Sequence, residues 1–164
     1  MGHSITAIIL EGDFDKNKAI EFDLFPIQLD FGLSLFHINH YYSACWQYKL
    51  KIFGFLEISN IDCNIFPREK AISKIIKSIS NLENPKFAII LTEYFGSLGN
   101  QYANVFVNSE NADRSISTIN QALRFLGVIP QIGQDEFETL GLNKLRSQPE
   151  YLDKYIELAD EYGV

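Results

Sequence analysis

Phe87-Ala88-Ile89-Ile90-Leu91-Thr92-Glu93-Tyr94-Phe95-Gly96-Ser97-Leu98-Gly99-Asn100-Gln101-Tyr102-Ala103-Asn104-Val105-Phe106-Val107-Asn108 is the stretch that decides the fold. From Phe87 to Phe95 both alternating sets of side chains begin apolar: Phe87, Ile89 and Leu91 on one side, Ala88 and Ile90 on the other. A strand apolar on both faces is covered on both faces. Gly96-Ser97-Leu98-Gly99 reads as a glycine-bounded turn and Gln101 to Asn108 as the returning strand, a β-hairpin. The turn joins strand to strand. Its glycines are therefore no P-loop or dinucleotide fingerprint, whose anion site needs a helix N-terminus.

Upstream of the hairpin, Pro67 opens a helix with the stripe Ala71, Ile72, Ile75, Ile76 and Ile79, while Lys70, Lys74 and Lys77 face water. Ile61, Cys63 and Ile65 alternate with Asp62 and Asn64, which predicts a strand. Asn39 caps a helix over roughly 41–51 whose apolar face carries Tyr42, Cys45, Trp46 and Leu50. Ile27 to Phe31 and Leu33 to Ile38 read as strands on either side of Gly32. Asp15 caps a short helix that Pro26 stops, and Ser4 to Glu11 is a strand whose run Ala7-Ile8-Ile9-Leu10 predicts burial on both faces.

Downstream, Asp113 is the expected cap of a helix with the stripe Ile116, Ile119, Leu123 and Leu126, ended by Gly127. Residues 131–146 read as a long polar loop anchored by Phe137, Leu140 and Leu142. Ser147-Gln148-Pro149-Glu150 has the form of a capping box before a last helix carrying Tyr151, Leu152, Tyr155, Ile156 and Ala159. Hairpins mix with crossovers in this order of elements. The expected fold is α+β, a single mixed, largely antiparallel sheet of about five strands covered by helices, in one domain over residues 1–164.

A chain of 164 residues, 46% hydrophobic and 21% charged, can bury an ordinary core without disulfides or a structural metal. Its net charge of −7 disfavours nucleic acid, where affinity comes from Lys and Arg, and disfavours anionic membrane surfaces. The charge suits a basic protein partner and equally suits solubility alone. No stretch is long and apolar enough to span a bilayer, and the N-terminus lacks the pattern of a secretory signal, so the expected location is cytoplasmic. Cys45 and Cys63 lack CxxC spacing and read as core thiols of a reducing compartment, with a bond between them left open. Met1-Gly2-His3-Ser4-Ile5-Thr6 formally fits the N-myristoylation pattern, but a strand already begins there, and Gly2 and His3 read equally as a remnant of cloning. No cofactor and no metal are expected.

Three constellations could carry chemistry. His37 and His40 flank a strand-to-helix junction, where two imidazoles three apart can share a face only if the backbone is already helical. Glu93 falls on the face of Phe87, Ile89 and Leu91, and a carboxylate entering an apolar face becomes a candidate general acid or base. A catalytic group of Glu93, His37 and His40 requires the strand Leu33 to Ile38 to lie beside Phe87 to Phe95. Tyr94, Asn100, Gln101 and Asn104 are the candidate ligand-binding residues around Glu93. Asp135, Glu136, Phe137 and Glu138 form an acidic run around an aromatic anchor, the candidate surface for a basic partner. No stretch carries a specific catalytic signature, and the general type is similar to small acidic bacterial proteins that neutralise or regulate a protein partner. The expectation is a protein-binding, regulatory module, inhibitory or immunity-like. The alternative is a small-ligand-binding protein or hydrolase with a Glu/His pocket.

Overall fold

The computed structural model describes residues 2–56 and 66–164. The strand expected over Ile61 to Ile65, and Cys63 within it, lie outside the described residues. In chain order the strands are β1 (Gly2–Glu11), β2 (Ile27–Gln28), β3 (Leu33–Ile38), β4 (Lys86–Phe95), β5 (Leu98–Val107) and β6 (Glu110–Asn111). The helices are α1 (Lys16–Glu21), α2 (His40–Leu50), α3 (Glu69–Ile79), α4 (Ile119–Phe125), α5 (Glu136–Thr139) and α6 (Lys154–Tyr162).

β4 and β5 form the hairpin, in register from Lys86↔Val107 to Phe95↔Leu98. Its loop is only Gly96-Ser97, tighter than the turn expected. Gly96 sits at φ 62°, the left-handed first position that a two-residue II′ loop requires and glycine supplies without strain. β1 lies against β4 with Ile8↔Ile89, and β3 lies against the other side of β1 with Ile8↔Phe36. Among the described residues this makes a six-stranded open sheet in the order β2-β3-β1-β4-β5-β6, with every ladder antiparallel. β2 and β6 are two-residue edges, and β2 is shorter than the strand expected from Ile27 to Phe31.

Period-2 alternation splits the core into two layers. Ile8, Leu10, Phe36, Ile38, Phe87, Ile89 and Phe106 meet α1, α2, α3 and α6 on one face. Ile5, Ala7, Ile9, Leu33, Leu35, Ala88, Ile90, Ala103 and Val105 meet α4 and the segment through α5 on the other. Ala7, Ile8, Ile9 and Leu10 are all fully buried, as a central strand demands. The α3 stripe Ile72, Ile75, Ile76 and Ile79 is also fully buried, each side chain contributing about 1.5–3 kcal/mol. Asn39 caps α2 by accepting the Tyr42 amide at 2.7 Å. The helical layer is tied together by Tyr155, which donates to Asp23 and accepts from Trp46 Nε1 at 3.3 Å. Burial works to raise the Asp23 carboxyl, but hydrogen bonds from Lys154 and Tyr155 outweigh it and hold the group below its usual range.

Three local expectations are corrected. Asp113 caps no helix: its carboxylate accepts the Ser115 amide and hydroxyl in a local turn, and α4 begins only at Ile119. Its cap is Thr118, which forms a reciprocal box with Gln121. Residues 131–146 are not a long loop, because Asp135 caps α5 and a 3-10 turn covers Leu142–Lys144. Ser147 caps no helix either. β3 pairs with β1 only as far as Thr6↔Ile38, which leaves that side of β1 open below Thr6. Ser4 donates its amide to Arg146 O at 2.8 Å in a short parallel bridge with Ser147. Gln148 Nε2 donates to Ile38 O at 2.5 Å where β3 departs. Buried backbone groups need partners, and this demand overrides the local capping preference.

Candidate functional site

The polar site lies at the end of the sheet where β1 begins and β4 ends. His3 pairs with Tyr94, Ile5 with Thr92 and Thr92 with Gln101. Directly opposed residues point to the same side, so His3, Thr92, Tyr94 and Gln101 share the face of α4 and α5. The apolar rows of that face give way here to polar side chains. The start of α4, α5 and the segment Asn143 to Arg146 stand over them, leaving a cleft of about 340 Å³.

The walls are held by their own hydrogen bonds. His3 Nε2–H donates to Leu142 O at 2.9 Å, and in the neutral ring, because a carbonyl only accepts, Nδ1 is the nitrogen that receives Thr92 Oγ1–H at 2.6 Å. Thr92 Oγ1 also accepts the Ile5 amide at 3.1 Å. The Phe137 ring lies 5.3 Å from that of His3. Gln101 accepts the Ile119 amide at 2.8 Å and donates to Tyr94 Oη at 3.3 Å. Asn120 accepts the Phe137 amide and donates to Asp135 Oδ2, while Asp135 Oδ1 accepts the Glu138 amide. A hydroxyl donating to an imidazole anchored through its other nitrogen is an arrangement that primes nucleophiles. Thr92 is only 3% exposed and its oxygen already holds the Ile5 amide, so here the pair clamps β1 onto β4.

The cleft unites residues drawn from two of the expected constellations, Tyr94 and Gln101 from one and Asp135 and Phe137 from the other. Asn100 and Asn104 point to the opposite face, Asn100 exposed opposite Glu93 and Asn104 buried opposite Ile89. Glu136 turns inward, 4% exposed, with its Oε1 bonded to Arg124 Nε at 3.0 Å and Nη2 at 2.9 Å. Glu138 is exposed. The structure does not bring Glu93, His37 and His40 together. β1 lies between β3 and β4, Glu93 is exposed on the other face from His37, and His40 opens α2 with its ring 3.9 Å from that of Tyr41. Among the described residues no cluster of His, Cys, Asp and Glu is placed to hold a metal ion. The sequence reading missed His3, Thr92, Asn120, Asn143 and Arg146. Thr92 had a readable signal, a hydroxyl interrupting the apolar set Ala88, Ile90 of a doubly covered strand.

His37 is 6% exposed, and burial lowers its pKa from the ordinary 6.5. In the unfolded chain the imidazole takes its proton as pH falls through about 6.5, whereas the folded protein resists it to lower pH. Stability is therefore full above that value and declines as pH falls from it toward the folded pKa. A histidine NMR titration is expected to place the His37 midpoint below 6.5, and His37→Asn to reduce the loss of stability between neutral pH and the lower end of that window. A His37 midpoint at or above 6.5 contradicts this.

A second feature occupies the other face of the same hairpin. Phe95 and Leu98 are cross-strand neighbours at its tip, 80% and 79% exposed. They continue the face on which Phe87 and Phe106 stack at 5.3 Å in full burial. Exposed Glu93 lies on that face beside them.

Fold and site together define an open antiparallel α+β sheet with a polar cleft on one face of its projecting hairpin and an apolar pair on the other. Among the described residues no helix is long and apolar enough to cross a membrane. Comparison with protein-family models, with curated proteins and with solved structures finds no match.

Proposed function

We propose that this protein is a regulatory binding module that docks a basic protein partner on the tip of the β4–β5 hairpin. The observation that carries the reading is the Phe95–Leu98 pair, two large apolar side chains side by side in solvent on the antiparallel β4–β5 ladder. Exposed apolar side chains that adjoin on one face of a sheet form the kind of contiguous patch that marks an interaction site. Glu93 beside them and a net charge of −7 set the partner's chemistry: an apolar group flanked by Lys or Arg. Covering such a basic surface withholds it from anionic ligands, so inhibition is the regulatory outcome. The buried free thiol Cys45 supports a reducing compartment, the cytoplasm.

The test places a photo-crosslinking residue at Phe95, at Leu98 and, as a control, at the fully exposed Ile132, in cells that make the protein. Both tip positions are expected to capture the same basic protein and Ile132 is not. With that protein purified, Phe95→Ser with Leu98→Ser is expected to weaken binding by about tenfold or more. Glu93→Lys is expected to weaken it less and to remove part of its salt dependence. Capture of nothing discrete from the tip, or binding unchanged in the double variant, overturns the reading.

A further inference from the structure

We infer that the cleft on the opposite face of the hairpin is a binding site for a carboxylate attached to a compact apolar or aromatic body. The inference follows from which polar groups of the cleft are already engaged. Both ring nitrogens of His3, both functional atoms of Gln101 and Asn120, and both carboxylate oxygens of Asp135 have partners within the protein. These bonds build the walls, and the Gln101 and Asn120 amides each keep a second N–H beyond the one so engaged.

The other polar residues that line the cleft are Arg146, Asn143 and Tyr94. Tyr94 Oη accepts from Gln101, which leaves its own O–H proton to donate. Among the described residues no carboxylate pairs with Arg146. Its side chain is exposed, yet its backbone is fixed, because Arg146 O accepts the Ser4 amide at the edge of β1. The cleft thus offers an arginine without a carboxylate partner, anchored through its backbone, and a phenol proton, a donor set that a planar carboxylate satisfies. Asp135, whose two oxygens hold the α5 amide and Asn120, forms no ion pair with Arg146. Phe137, already against His3, and Ile119 supply the apolar wall on which a ring or alkyl group would lie. A volume of about 340 Å³ suits a ligand of single-ring size. Such a carboxylate belongs either to a free small acid or to the C-terminus of a peptide. The site shares no side chain with the Phe95–Leu98 pair, so it stands whether or not that pair docks a partner.

The experiment is a titration of the isotope-labelled full chain, followed by two-dimensional NMR of backbone and side-chain N–H groups. The probes are benzoate, its neutral counterpart benzamide, and N-acetylphenylalanine as a mimic of a peptide C-terminus. Saturable shifts are expected at the Arg146 Nε–H and at the Asn143 side-chain amide, with a Kd of about millimolar order for fragments of this size. Benzamide is expected to leave both groups unmoved. Arg146→Gln keeps the backbone bond to Ser4 and is expected to weaken acid binding about tenfold or more with the rest of the spectrum unchanged. Tyr94→Phe is expected to weaken it by a smaller factor. Tighter binding of N-acetylphenylalanine than of benzoate assigns the site to a chain terminus, and the reverse order assigns it to a free acid. The inference is overturned if neither acid gives saturable shifts at these groups at tens of millimolar, if benzamide shifts them as benzoate does, or if Arg146→Gln binds unchanged.

Discussion

Gly99→Ala is expected to destabilise the protein by about 3 kcal/mol or more, or to prevent it from accumulating in soluble form. Gly99 lies on β5 directly opposite Tyr94, one residue beyond the loop-closing pair Phe95↔Leu98. Its φ of 156° is outside the range that other residues adopt readily in a strand. A Cβ built there meets backbone on the facing strand, falling 2.6 Å from Tyr94 Cα and closer still to the Glu93 carbonyl oxygen. Backbone cannot swing aside as a flexible side chain can. The strands must part, and the ladder that carries Tyr94 and Gln101 into the cleft parts with them. Gly96→Ala is the contrast. A Cβ at Gly96 meets nothing within 4 Å, and the substitution costs only the strain of its positive φ of 62°, about 1–3 kcal/mol. Urea unfolding of the two variants measures the difference. A Gly99→Ala protein as stable as Gly96→Ala would show that the close approach of β5 to β4 is not required.

Phe106→Ala is expected to cost about 3–5 kcal/mol, while Phe95→Ala costs within about 0.5 kcal/mol of nothing. Both rings project from the same face of the same hairpin. Phe106 is fully buried, stacked on Phe87 and packed in the layer that includes the α3 stripe, so its removal leaves a cavity in a close-packed region. Phe95 is 80% exposed and loses little on truncation. Folding therefore does not account for an aromatic at position 95, and this separation is what makes Phe95 useful: its substitution tests binding without confounding stability. Unfolding midpoints for the two variants check the prediction. A large loss of stability in Phe95→Ala would make the tip a structural element and remove the main support for docking there.

How far the sequence could be read depended on the range of the interactions involved. The α3 stripe, the Asn39 cap and the two-sided burial of Ala7 to Leu10 follow from residues within a few positions of one another, and each is found as expected. Asp113 and Ser147 offered equally good local signals for helix starts. Asp113 turned to Ser115 instead, and the start of α4 is held by Thr118, which accepts the Gln121 amide while Gln121 Oε1 accepts those of Ser117 and Thr118. Ser147 was taken by the unpaired edge of β1, a demand that arises only once β3 has ended at Ile38. The acidic run 135–138 resembled a surface for a partner, yet one carboxylate caps α5 and another is buried on Arg124. Charge alone does not say whether a carboxylate faces water or an amide.

The glycine-bounded turn between two strand patterns by itself determined that Phe87 to Phe95 returns through a hairpin, and the alternation of side chains that its rooted half is covered on both faces and that Glu93 shares the face of Phe87. Which strands lie beside one another was decided only in the tertiary structure. Ladder hydrogen bonds are the same between any two strands, so a period-2 pattern specifies faces and not neighbours. The insertion of β1 between β3 and β4 keeps His37 from Glu93. It also carries His3 to Thr92 and to Leu142, the latter 139 positions away. The cleft exists because burying Ala7 to Leu10 on both faces places β1 at the centre of the sheet, and the first residues of that strand are carried along to its polar end.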